Sequence, residues 1–104
     1  MNPTEVVKKT GTATLSVVAS TSTSPGALLL AGNAARKGAI ISNASTAILY
    51  ILYGAVSTNG VPSATNHTIQ VATLITHKVD DGYLGDIYGI WVAANGNAMC
   101  TELT

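Results

Sequence analysis

Residues 47–53 read Ala47-Ile48-Leu49-Tyr50-Ile51-Leu52-Tyr53, an uninterrupted run of strand formers without a charge. In a half-exposed strand side chains alternate between core and water, so one set is polar. Here Ile48, Tyr50 and Leu52 line one face, Leu49, Ile51 and Tyr53 line the other, and neither face is polar. Both faces need cover. An uncharged run of high strand propensity is also an aggregation hazard when exposed, so the fold or a partner must hide it. A core on one side, with a further layer of the chain or a neighbouring subunit on the other, would meet this demand.

The rest of the chain makes the same demand. Only 10% of its 104 residues are charged, 47% are hydrophobic and the net charge is zero; average soluble domains carry about 25% charged residues. A chain of this length forms one domain and buries roughly 65% of the surface it exposes when unfolded. With so few charges to clothe the remainder, sizeable patches are expected to contact other subunits. Nucleic acid is not expected as a partner, because Lys8-Lys9 and Arg36-Lys37 are the only basic pairs and are balanced by Asp80, Asp81, Asp86 and Glu102. A membrane is not expected either: no window approaches the ~20 apolar residues of a spanning helix, and Met1–Lys9 lacks the order of an export signal. Four Tyr and one Trp are too few for the aromatic girdles of a membrane barrel.

Gly, Ser, Thr and Asn punctuate the chain at short intervals, which predicts an all-β protein. The expected fold is an antiparallel β-sandwich or jelly-roll-like barrel of about eight short strands, with residues 1–10 as a flexible arm and 11–104 as a single domain. Thr12–Ala19 alternates, so Ala13, Leu15 and Val17 are read as inward and Thr12, Thr14 and Ser16 as outward. Asn43-Ala44-Ser45-Thr46 suits a hairpin between strands 39–42 and 47–53, and Asn95-Gly96 a closing hairpin between 88–93 and 98–103. Residues 54–66, with Asn59-Gly60 and Pro62, form the best candidate for a projecting loop.

No catalytic constellation stands out. His67 and His77 lie in strand segments with no Gly-x-Ser-x-Gly elbow, and the chain reads as a non-enzyme without a cofactor. Cys100, the single cysteine, excludes an internal disulfide and a cysteine-based zinc site. Asp80, Asp81 and Asp86 carry oxygen ligands suited to calcium but not in an EF-hand spacing, so a solvated turn is the preferred reading and no metal is expected. Arg36 and Lys37 are conspicuous in so uncharged a chain; Arg36 can grip a neighbour's carboxylate or carbonyls, or the pair can simply keep a loop soluble. Trp91 is read as an interface anchor or as core. With Leu49, Ile51 and Tyr53, these complete the candidate interface residues.

Two blocks, Asn33-Ala-Ala-Arg-Lys-Gly-Ala-Ile-Ile-Ser-Asn-Ala-Ser-Thr-Ala-Ile-Leu-Tyr-Ile-Leu-Tyr-Gly54 and Tyr83-Leu-Gly-Asp-Ile-Tyr-Gly-Ile-Trp-Val-Ala-Ala-Asn-Gly-Asn-Ala-Met-Cys-Thr-Glu102, resemble small tailed-bacteriophage virion proteins. The chain departs from that pattern at Ile75–Lys78, where a more acidic or glycine-rich approach is expected. The resemblance implies a virion component made in the host cytoplasm: a decoration, or cement, protein on the capsid exterior, bound to the major capsid protein or other virion subunits and expected as a homotrimer. The competing expectation is a receptor-binding or fibre- or tail-associated module whose loops touch host glycans.

Overall fold

The short apolar runs become strands, and their pairing rolls the chain into two layers. The computed structural model describes residues 11–104, so the arm expected at residues 1–10 lies outside the described residues. The described residues form β1 (Ala13–Ala19), β2 (Ala27–Leu30), β3 (Gly38–Ser45), β4 (Leu49–Tyr53), the helical turn α1 (Val56–Asn59), β5 (Ile69–Val71), β6 (Thr76–Val79), β7 (Ile87–Trp91) and β8 (Gly96–Leu103). Sheet A has the order β1-β8-β3-β6 and sheet B the order β2-β7-β4-β5, and every pairing is antiparallel. This is a β-sandwich with the strand order of a jelly roll. No helix among the described residues is long and apolar enough to cross a membrane.

In this order β4 and β5 are the only sequence neighbours that pair, and this corrects both expected hairpins. β3 and β4 lie in different sheets, as do β7 and β8. The supposed turn residues Asn43 and Ser45 are buried within β3, where their side chains bond to backbone of the crossing segment instead of folding it back. Gly96 opens β8 where a Cβ would stand 2.4 Å from the Ala44 carbonyl oxygen, so only glycine lets β8 approach β3 there.

The core lies between the sheets. Ala39, Ile41, Val79, Ala98 and Cys100 of sheet A face Leu29, Leu30, Leu49, Ile51, Val71, Ile87 and Trp91 of sheet B. A bulge in β2 between Leu28 and Leu30 allows the consecutive residues Leu29 and Leu30 both to be buried. Burial without a polar partner pushes the Cys100 thiol up to about 11, and it is an inert core group.

The double-sided strand finds both its covers within the chain. Leu49 and Ile51 enter the core, while Leu52 on the opposite face is also buried. The segment 54–68 does not project; it folds back beside sheet B. His67 packs on Tyr50 with ring centroids 4.8 Å apart, and Pro62 is fully buried close to Gly26 at the start of β2. Gly54 makes the turn into this segment with φ 122°, and Asn59 Nδ2 donates to the Tyr53 carbonyl at 2.7 Å to hold it.

Candidate functional site

Directly opposed residues of an antiparallel ladder share a face, so the register defines the outer surface of sheet A. One row carries Ala13, Leu103 and Gly38; the next carries Leu15, Thr101, Ile40 and Lys78; then come Val17, Met99, Ser42 and Thr76; and last Ala19, Asn97 and Ala44. Leu15, Val17, Ile40 and Leu103 are 59%, 55%, 43% and 45% exposed. Isolated exposed apolar residues are ordinary, but a contiguous set on one sheet face marks a contact surface. Sheet B has its outer face partly covered by residues 54–68; among the described residues sheet A has no such cover.

This placement reverses the sequence reading of β1. Thr14, Ser16 and Val18, not Leu15 and Val17, share the core-facing side. β1 is an edge strand of sheet A, and of its residues Val18 alone packs against the core. The large side chains therefore turn outward beside Met99 and Leu103, where apolar neighbours exist.

Charge is segregated along the sandwich. Arg36-Lys37, Lys78, Asp80-Asp81, Asp86 and Glu102 all sit at the end where β3 and β7 begin and β6 and β8 finish. The opposite end is formed by residues 20–26, 46–48, 72–75 and 92–95 and, among the described residues, has no charged side chain. Exposed Leu74, Ile75 and Val92 lie there.

At the charged end, Arg36 is a clamp within the chain. Its Nε donates to Glu102 Oε2 at 2.7 Å, Nη1 to the carbonyls of Tyr83 and Gly85, and Nη2 to the carbonyl of Ala31. The carboxylate and carbonyls that one of the two sequence readings placed on a neighbour are thus its own, and the other reading, a solvated charge, does not hold for Arg36 either. Beside it, Tyr53 stacks on Tyr83 at 4.6 Å and shares a 2.6 Å hydrogen bond with His77 Nε2, tying sheet B to sheet A. Burial raises the titration of both tyrosines and lowers that of His77, the latter opposed by the nearby Asp80 carboxylate.

The candidate interface residues are dispersed by the fold. Leu49, Ile51 and Trp91 are enclosed in the core, Arg36 is buried in its clamp, Tyr53 is half-buried between the sheets and Lys37 is exposed. Side chains already enclosed by their own chain do not present themselves to a partner, which removes Leu49, Ile51 and Trp91 as contact residues; the apolar side chains that are exposed on sheet A are Leu15, Val17, Ile40 and Leu103. The alternation of residues 13–19 carried this signal, but which face was wet depended on β1 being an edge. The aspartates do not converge: Asp86 Oδ1 accepts from the Gly32 N–H at 2.6 Å, while exposed Asp81 lies 3.7 Å from Lys78. Among the described residues, no group of three or more His, Cys, Asp or Glu is placed to hold a metal. No protein-family model matches the chain, and neither does any curated protein or solved structure.

Proposed function

We propose that this chain is a structural module of a tailed-phage virion, a decoration protein that binds the outside of the assembled head through the outer face of sheet A. The observation that carries the proposal is the apolar face bearing Leu15, Val17, Ile40 and Leu103, which no other described residues cover. Four strands of seven, eight, eight and four residues, spaced ~4.8 Å apart, present a face of at most roughly 500 Å², a small footprint driven by burial of ~25 cal/mol per Å² of apolar area that gains its effect by repetition. A shell offers many equivalent sites, and a ligand that binds only the assembled shell stabilises it by mass action. Jelly-roll sandwiches recur among viral capsid domains, a likeness of architecture that adds modest support.

The test is a reconstruction of the intact particle with and without the protein. Density over the head, and release of the packaged genome at lower temperature when the protein is missing, are the expected results. Density at a fibre or tail tip would instead favour the receptor-binding reading, and absence of the protein from purified particles would end both.

A further inference from the structure

We infer that β1 pairs edge to edge with β1 of a second copy about a two-fold axis at Ser16, merging two copies of sheet A into one continuous sheet. The four sheet edges differ in how they are protected. β5 has three residues, β2 has four and a bulge, and β6 has four with Lys78 on it. Short length, bulges and lysine are the usual means of blunting an edge. β1 has seven residues in unbroken register with β8, and Gly11–Ser20 contains neither a charge nor a proline. Among the described residues it is the one edge built without a guard.

The hydrogen-bond phase fits such pairing. Thr12 and Thr104 exchange both backbone bonds, at 3.2 and 2.9 Å, and the Ser20 N–H donates to the Gly96 carbonyl. Antiparallel alternation therefore turns the N–H and C=O groups of Thr14, Ser16 and Val18 toward β8, and those of Ala13, Leu15, Val17 and Ala19 toward the open edge. A two-fold axis at Ser16 brings Ala13 opposite Ala19 and Leu15 opposite Val17 of the second copy, each facing pair exchanging two hydrogen bonds.

The side chains favour a second copy over a foreign strand. On the outer face β1 reads Ala13, Leu15, Val17, Ala19, a small-large-large-small order that matches itself when reversed. With no charge on the strand, self-pairing creates no like-charge contact. The edge is about 24 Å long, and by itself falls short of the ~800 Å² per partner of a standard interface, so the dimer is expected to dissociate on the micromolar scale. Pairing would also join two apolar outer faces. The inference needs only the β1 edge and does not rest on the virion reading.

Sedimentation velocity of the full chain over a dilution series, with amide hydrogen exchange, tests this. The expected result is a concentration-dependent dimer in which the Leu15 and Val17 amides gain protection as it forms. Val17→Pro removes an N–H that bonds no partner among the described residues, and because a two-fold interface takes each change twice, the dimer dissociation constant should rise at least ~100-fold. Should Val17→Pro not fold, the double change Leu15→Lys with Val17→Lys sets lysine opposite lysine and should have the same effect. Ile40→Lys, on the same face but away from the edge, should leave the dimer intact. A folded wild-type chain that stays monomeric at millimolar concentration, a trimer, or a dimer lost in Ile40→Lys but kept in the β1 variants would each overturn the pairing.

Discussion

The indole N–H of Trp91 in β7 donates to Asn43 Oδ1 in β3 at 3.0 Å, a buried hydrogen bond that crosses between the sheets. Asn43 also uses its amide N–H groups on the carbonyls of Ala47, Val71 and Ala72 and accepts from Ser45 Oγ at 2.8 Å. One side chain thereby satisfies the crossing from β3 to β4, the end of β5 and the largest core residue. Buried polar groups are worth little net when paired but costly when left unpaired.

Asn43→Leu should therefore destabilise the chain by about 3 kcal/mol or more, because it orphans the Trp91 N–H and the carbonyls together. Trp91→Phe keeps most of the apolar contact, and Asn43 Oδ1 still receives Ser45 Oγ. Its hydrogen-bond loss should be about 1 kcal/mol, added to that of the smaller ring. Denaturant unfolding followed at equilibrium compares the two, and equal losses would remove Asn43 from its central place.

Core and contact surface should separate cleanly under substitution. Leu49→Ala is expected to cost about 2–5 kcal/mol, as truncation of an enclosed leucine does, whereas Leu15→Thr and Val17→Thr should each stay within about 0.5 kcal/mol when measured on dilute monomer. The threonine variants should also lose association with the partner surface while keeping a native unfolding transition. A large stability loss in Leu15→Thr would return that side chain to the core.

The fold class was legible because turn residues and short apolar runs alternate along the whole chain. The pairing was not, since it depends on contacts between distant segments. Asn43 and Ser45 have the composition of a turn, yet tertiary burial put them inside β3. Leu49 and Ile51 were rightly read as needing cover, but a sequence cannot say that Tyr50 behind them would pack on His67 of the same chain, or that Leu52 would be buried within it. Leu15 and Val17 were assigned to the right phase and the wrong face, because an edge strand reverses the usual link between apolar and inward.

The Arg36 clamp gives a third expectation. Arg36 is buried and Glu102 nearly so, while both members of the Lys78–Asp81 pair are mostly in solvent. Glu102→Ala strands a guanidinium that retains its carbonyl partners but has lost its counter-charge, and should cost about 3 kcal/mol. Asp81→Ala should change stability by less than about 1 kcal/mol. Arg36→Lys should not rescue the clamp, because one ammonium cannot reach the carboxylate and the carbonyls of Ala31, Tyr83 and Gly85 in the same fork. Thermal unfolding of the three variants, with wild type as reference, checks the order.

The Tyr53–His77 bond should make the junction between the sheets sensitive to acid. Burial lowers the His77 titration below its ordinary value near 6.5, and the Asp80 carboxylate only partly opposes this. The unfolded chain therefore binds this proton more readily than the folded one. The stability held by the neutral ring is fully present above about pH 6.5 and is lost as pH falls from there toward the lowered folded value. Below that value both states are protonated and the loss levels off. His77→Gln keeps a hydrogen-bonding side chain without a titrating ring, so the difference in unfolding free energy between wild type and His77→Gln should be flat above neutrality and shift against wild type on acidification. The carboxylates titrate in both chains and largely cancel in that difference. A difference that does not vary between about pH 8 and pH 5 would mean that His77 holds its bond to Tyr53 equally well when charged, with the tyrosine oxygen as acceptor.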